Sequence, residues 1–120
     1  MSPSVVRWQI VTPQAEQSAA FYRQLFGWAV TQDNALGYRE VKSGSPGGID
    51  GGIWPAPPGG KGFVQLFVEV PDIDACISKA TQLGAAVVVP RSELPDGDAM
   101  AILADPTGVS VGLCTLRRRG

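Results

Sequence analysis

The sequence predicts an α+β domain made of two copies of a strand–helix–strand–strand–strand (βαβββ) unit. Its 120 residues, 44% apolar and 18% charged, fit one soluble globular domain. The apolar pattern changes from strand spacing to helical spacing and back, and then does so again. Each unit has too few elements to close a core by itself, so we expect the two units to cover each other.

The first unit is predicted over residues 5–54. Its helix is expected to have Thr12 as N-cap and Pro13 at the first helical position, and to end at Gly27 in a left-handed cap. Apolar residues at helical spacing predict the core-facing stripe: Ala15, Ala19, Tyr22 and Phe26. The predicted strands cover residues 5–11, 28–30, 37–42 and 51–54.

A proline- and glycine-rich linker over residues 55–62 precedes the second unit, predicted over residues 63–115. Pro71-Asp72 opens its helix and Gly84 caps it. The expected apolar stripe consists of Ile73, Cys76, Ile77, Ala80 and Leu83. Strands are predicted over residues 63–70, 85–89, 99–103 and 109–113, with a polar loop over 90–98, a type I turn over 105–108 and a basic tail over 116–120.

The two units are related by a nearly constant shift in the sequence. Thr12-Pro13 corresponds to Val70-Pro71 at a shift of 58 positions, and Gly52 corresponds to Gly112 at a shift of 60. The same order of elements with a small drift in spacing indicates an internal repeat rather than chance.

Composition excludes several classes of function. The chain has no histidine, which removes the usual general base at neutral pH and the commonest metal ligand. Cys76 and Cys114 form no CxxC motif, so a zinc knuckle or dithiol redox site is not expected. A net charge of −1 argues against nucleic-acid binding. Without a signal peptide or apolar span, the sequence predicts a cytoplasmic protein with no membrane partner.

Three segments carry a resemblance to a known family. They are FYRQLFGW at residues 21–28, VPDID at 70–74 and LADPTG at 103–108. In this order they resemble motifs of the vicinal oxygen chelate superfamily, which includes glyoxalase I, bleomycin-resistance proteins and extradiol dioxygenases. The resemblance implies that the two βαβββ units form an open mixed-sheet cup, completed or enlarged in a homodimer.

Enzymes of that superfamily typically hold a divalent metal through four inward-facing His or Glu residues. By the resemblance, those positions fall on Arg7, Gly52, Gln65 and Gly112. Only Gln65 could donate an oxygen, because arginine is cationic and glycine has no side chain. We therefore expect no metal and no other cofactor at this site.

Side chains alternate along a strand, so each of these positions shares its face with its neighbours at a spacing of two. If those faces point into the cup, they present one cation, amides, a carboxylate and aromatic rings: Arg7, Gln9, Trp54, Gln65, Phe67 and Glu69. This mixture suits a small anionic or aromatic ligand, because arginine can bind a carboxylate bidentately and the rings can stack on a flat group.

Three interpretations of this face stay open. The first is a metal-free binding protein for a small molecule, with Arg7 as its anchor. The second is a lyase or isomerase of glyoxalase-like type in which Glu69 is the general base, although a nearby Arg7 would favour the ionised carboxylate and oppose that role. The third is a dimerisation module with a vestigial cup. Against any ligand site stands the simpler possibility that Arg7 and Glu69 form an ion pair on a half-open sheet face.

Overall fold

The computed structural model describes residues 3–31, 37–56, 59–93 and 98–115. Their first half contains β1 (Ser4–Thr12), α1 (Ala15–Phe26), β2 (Ala29–Val30), β3 (Arg39–Lys42) and β4 (Gly51–Pro55). Their second half contains β5 (Phe63–Glu69), α2 (Ile73–Gln82), β6 (Ala86–Glu93), β7 (Ala99–Ala104) and β8 (Ser110–Thr115). The predicted α+β class and the repeated βαβββ order are confirmed.

The chain divides into two compact units. One, here the first unit, is Arg7–Gln65, and the second unit contains the rest of the described chain, so the division passes within β1 and β5. The strands of the first half run in the order β2-β3-β4-β1, and those of the second half in the equivalent order β6-β7-β8-β5. In each, the first strand pairs in parallel with the fourth, and the other pairs are antiparallel.

The internal repeat extends to the register of the paired strands. Gln9 lies opposite Gly52 in the β1–β4 pair, and Phe67 lies opposite Gly112 in the β5–β8 pair. These are the partners that the sequence shifts of 58 and 60 residues predict, so the repeat is structural as well as sequential.

A helix covers one face of the strands in each unit. In the first unit, α1 packs through the small residues Ala15 and Ala19 against Val41 and Ile53, all four of them buried. In the second unit, Ile73 of α2 packs against a buried strand layer that includes Ala101 and Leu113. The opposite face of each unit, which no helix covers within that unit, is called the helix-free face below.

The first helix begins later than predicted. Thr12 is still part of β1, paired with Pro55, so the N-cap is Gln14, whose side chain makes no capping hydrogen bond. The Thr12 hydroxyl instead accepts a hydrogen bond from the Gln14 backbone N–H at 3.1 Å.

The predicted cap at Gly27 is confirmed: its φ is 72°, and its N–H donates to the Arg23 carbonyl. The N-cap of α2 is Asp72, whose carboxylate accepts from the Ala75 N–H.

Two residues of the predicted apolar stripes are exposed rather than buried. Phe26 is 55% exposed because it lies in the last turn of α1, where it stacks on Tyr22 and Trp28 instead of entering the core. Leu83 is 69% exposed because α2 ends before it and it serves as the C-cap.

The sixth strand is longer than predicted. It continues through Pro90 to Glu93, where the sequence predicted a polar loop. Proline lacks the N–H that an interior strand needs, but within its unit β6 pairs only with β7, so the position can do without a donor. The pairing shifts register on both sides of Val89, which accommodates the proline.

Three strand glycines lie beneath aromatic rings. A Cβ atom added to Gly51 would overlap the indole of Trp8, one added to Gly52 would overlap Tyr38, and one added to Gly112 would overlap Phe67. The missing side chains therefore make room for rings that lie flat on the backbone of the neighbouring strand.

The turn between β7 and β8 is organised by one carboxylate. Asp105 accepts hydrogen bonds from the Thr107 hydroxyl at 2.6 Å and from the N–H groups of Thr107 and Val109. The Gly108 N–H donates to the Asp105 carbonyl, which confirms the predicted turn over residues 105–108. These hydrogen bonds hold the pKa of Asp105 below its usual value, and the one from the Thr107 hydroxyl contributes most.

Gly51→Ala tests the fit between glycine and ring. Trp8 cannot easily move away, because its indole N–H donates to the Ile49 carbonyl and its ring packs on Trp28. We expect a loss of about 1–3 kcal/mol in the free energy of unfolding, measured in urea. Gly47→Ala is the matched control, since a Cβ there meets nothing within 4 Å. Equal stabilities of the two variants would contradict the close fit.

Asp105→Asn tests the turn. A carboxyl group whose pKa is lowered in the folded state stabilises it above the unfolded-state pKa, and this stabilisation is lost as pH falls through the folded-state pKa. The wild-type advantage in Tm should therefore be present at neutral pH and disappear in strong acid. Thr107→Val should remove part of the same advantage, and Glu40→Gln, at an exposed position of β3, should remove none. A pH-independent difference between wild type and Asp105→Asn would contradict the assignment.

Candidate functional site

Strand alternation places four predicted residues on the helix-free face of the first unit. Trp8 and Ile10 of β1 and Ile53 of β4 pack toward α1. The residues between and beside them therefore point the other way: Arg7, Gln9, Gly52 and Trp54. The grouping of these side chains on one face follows the sequence-based expectation.

Arg7 is held by an aromatic residue that the sequence analysis missed. Its Nη2 group donates a hydrogen bond to the Tyr38 hydroxyl, and its guanidinium carbon lies 5.5 Å from the centre of the Tyr38 ring. The Tyr38 ring is in turn 5.4 Å from the Trp54 ring, at an interplanar angle of 54°. Cation, phenol and indole thus form one continuous cluster, here called the Arg7–Tyr38–Trp54 cluster.

The backbone around β3 aims Tyr38 at this cluster. Gly37 has a φ of 77°, which favours glycine, and it brings the chain into β3. Arg39 points to the opposite, helix-covered side, where its buried guanidinium pairs with Glu16 of α1 at 2.6 Å. The buried Val41 shares the face of Arg39, so alternation from Val41 would have assigned Tyr38 to the face of Arg7.

Among the described residues of its own unit, no carboxylate forms an ion pair with Arg7. Among the described residues of that unit, the ion pairs are Arg39–Glu16 and the longer Lys42–Asp50 contact of 3.9 Å. The Arg7 Nε is buried and has no hydrogen-bond partner among the described residues. A buried donor without an acceptor costs about 1–3 kcal/mol, so the protein groups around Arg7 leave its hydrogen-bonding capacity incompletely used.

The two predicted amides differ in their surroundings. Gln9 is half-buried on β1, opposite Gly52. Gln65 on β5 is 1% exposed and belongs to the same unit as Arg7. Amides can both donate and accept hydrogen bonds, so these side chains can orient a polar ligand or one another.

The other predicted residues lie on the helix-free face of the second unit. Val68 packs toward α2, so the flanking Phe67 and Glu69 point away from it. Phe67 is buried with its ring over Gly112, and the half-buried Glu69 lies opposite Cys114 in the β5–β8 register. The structure thus assigns Phe67 and Glu69 to one unit and the Arg7–Tyr38–Trp54 cluster to the other.

The donor set at the four superfamily metal positions does not fit a divalent cation. Arg7 is a cation that donates to Tyr38, and the spaces beside Gly52 and Gly112 are filled by Tyr38 and Phe67. Gln65 supplies one amide, far short of the several oxygen or nitrogen ligands that such ions need. Within the described ranges, no group of three or more Cys, Asp or Glu residues is placed to hold a metal ion.

Neither α1 nor α2 could cross a bilayer, and no other described helix is long and apolar enough to do so.

Solved structures with the same fold are known. Hypothetical protein BH1468 from Bacillus halodurans C-125 superposes with a TM-score of 0.72 at 15% identity, covering 100% of this chain and 99% of that one. Methylmalonyl-CoA epimerase from Mycobacterium tuberculosis gives a TM-score of 0.68 at 16% identity over 95% and 88%. A Streptomyces coelicolor methylmalonyl-CoA epimerase variant, solved in complex with 2-nitronate-propionyl-CoA, gives 0.66 at 18% over 95% and 97%. At such identities the likeness concerns the fold.

Curated relatives are more similar in sequence. Two proteins named "Putative glyoxylase CFP32", from Mycobacterium bovis and Mycobacterium tuberculosis, are each 34% identical over 111 residues, which is 86% of this chain. The chain spans 42% of the length of these relatives.

A family model for the glyoxalase-like domain matches residues 7–114, nearly all of the described fold. Together with the repeated βαβββ units and the curated relatives, this match identifies the chain as a member of the glyoxalase-like domain family, within the vicinal oxygen chelate superfamily.

Proposed function

We propose that this domain binds a small anionic molecule on its helix-free face, with Arg7 as the anchor. Gln9 and Gln65 orient the ligand, and Trp54 provides apolar contact. The observation that supports the proposal most directly is the half-buried guanidinium of Arg7, whose partner among the described residues of its unit is a phenol and not a carboxylate.

The physical argument concerns the charge of Arg7. A guanidinium that is partly removed from water gains from an anion, and hydrogen bonds to charged groups contribute about 1.5–3 kcal/mol. The amides and rings on the same strand faces add polar and apolar contact, the combination found in most small-molecule sites. Methylmalonyl-CoA epimerases of the same fold have been solved in complex with 2-nitronate-propionyl-CoA and with methylmalonyl-CoA, which supports a small-molecule ligand for this domain.

The proposed binding is independent of metal. Since one amide is the only suitable donor among the four superfamily positions, the anion is bound by arginine and not by a dication. The homodimer and the cytoplasmic location that the sequence suggests are part of the same proposal and stay predictions.

Benzoate and its neutral isostere benzamide test the anchor. Because both are flat and of similar size, the difference between them reports the contribution of the carboxylate. We expect calorimetric titration to give binding of benzoate that is at least about tenfold tighter than that of benzamide, with no change on addition of a chelator. Arg7→Gln should remove most of this difference.

Arg91→Gln is the control for this experiment. Arg91 is an exposed arginine of β6 whose ion pairs among the described residues are long contacts to Asp74 and Glu93, so its loss should leave benzoate binding unchanged. Equal affinity for benzoate in wild type and Arg7→Gln, or a requirement for added divalent metal, would refute the proposal.

A second candidate is an enzyme that uses Glu69 as a general base. It is favoured by the curated relatives, whose name describes a glyoxylase, and by the half-buried position of Glu69 beside Phe67 on the helix-free face of its unit. A carboxylate there could act as a general base and remove a proton next to a carbonyl group. The candidate differs from the first in requiring turnover.

Proton exchange on 2-oxobutanoate separates the two candidates. This compound has an acidic C–H group next to its carbonyl group, on which the base could act. If Glu69 acts as the base, the protein should accelerate exchange of the C3 hydrogens in D2O by at least about a hundredfold, and Glu69→Gln should abolish that gain without abolishing ligand binding. The exposed Glu93→Gln variant is the control. Absence of acceleration by wild type would remove the enzymatic candidate and leave the binding proposal standing.

A further inference from the structure

The two βαβββ units differ in how the space beside position 52 and its equivalent, position 112, is filled. Gly52 and Gly112 are equivalent in the internal repeat, and each leaves a gap on a helix-free face. Over Gly112 the gap is filled by Phe67, its cross-strand neighbour in the β5–β8 pair. Over Gly52 the gap is filled by Tyr38, the residue just before β3.

The Tyr38 ring has polar and aromatic neighbours at once. Its hydroxyl accepts the hydrogen bond from Arg7, and the guanidinium carbon lies 5.5 Å from its centroid. On another side the Trp54 ring is 5.4 Å away and inclined by 54°. The two rings therefore form the walls of an angular corner, with the cation beside it, and all three side chains are only half-buried.

We propose that Tyr38 is a specificity-determining residue that restricts the ligand of Arg7 to carboxylates carried on a flat aromatic ring. This inference rests on the proposed anion binding at Arg7 and adds the class of the ligand. Tyr38 contributes in two ways: its hydroxyl fixes the guanidinium in one orientation, and its ring, with that of Trp54, provides the surface on which a flat ligand packs.

The physical reason is the shape of the corner. Aromatic rings meet one another favourably in offset or tilted arrangements, which gain free energy beyond the area buried, whereas a puckered saturated ring of the same size cannot lie flat against either wall. A guanidinium held by the phenol has lost part of its side-chain entropy before the ligand arrives, so less is lost on binding. A carboxylate joined directly to a flat ring can bind the held guanidinium while its ring packs against the aromatic walls.

Benzoate and cyclohexanecarboxylate are the test pair, because they share the carboxylate and differ in the flatness of the ring. We expect wild type to bind benzoate about three- to tenfold more tightly, as measured by calorimetric titration. Tyr38→Leu should reduce this preference to about twofold or less. Tyr38→Phe should keep the preference but weaken both ligands about threefold or more, since it removes the hydroxyl that holds Arg7.

Gly52→Ala provides an independent route to the same result. The added methyl group would overlap the Tyr38 ring, the far end of a flexible side chain, so the ring should move while the fold is kept. The variant should therefore lose the preference as Tyr38→Leu does. The matched controls are Tyr22→Phe, in the other tyrosine, and Phe21→Leu, in an aromatic residue that is 54% exposed on α1. Both should bind like wild type.

The outcomes separate a failure of the role of Tyr38 from a failure of the proposed anion binding at Arg7. If both carboxylates bind equally and Arg7→Gln abolishes both, Arg7 is the anchor and the role of Tyr38 is refuted. If neither carboxylate binds, the anion site and the role of Tyr38 are refuted together. A preference for benzoate that survives in Tyr38→Leu and Gly52→Ala also refutes the role of Tyr38.

Discussion

The complementarity between bare glycines and aromatic rings is the constraint on which this fold and its candidate site both depend. Gly51, Gly52 and Gly112 each lie beneath a ring that would have to move if a Cβ were present. One such pair anchors the cluster that joins β1 to α1, through Trp8. The other two fill the helix-free faces. The same device, absence of a side chain, thus serves packing on one face and shapes the binding surface on the other.

The four positions at which enzymes of the superfamily typically hold a metal carry a set of residues that does not fit a divalent cation. The positions that would carry the metal ligands of the superfamily present a cation, an amide and two glycines, and two aromatic rings occupy the space that the glycines leave. An arginine with a phenol partner is suited to recognising charge and shape. Glu69, the base of the enzymatic candidate, lies in a different unit from Arg7.

Much of this arrangement could be predicted from the sequence, because it follows from periodicity. Local spacing alone predicts the two helices and the order of helices and strands along the chain. It also predicts which strand face carries each of four residues: Arg7, Gln9, Phe67 and Trp54. The start of α1 could not be predicted, because a threonine followed by proline is typical of a helix cap, but pairing with Pro55 keeps Thr12 in a strand. Tyr38 was missed because its role depends on contacts across 31 positions of the chain with Arg7.

Pro90 in the outer strand of the second unit has a consequence for the behaviour of the protein in concentrated solution. A strand with one bonded neighbour presents a free row of backbone donors and acceptors to any passing chain. In β6 that row is interrupted by a residue with no donor and is distorted where the pairing with β7 shifts register. A foreign strand could therefore not extend a continuous ladder along it, which protects the domain against edge-to-edge polymerisation.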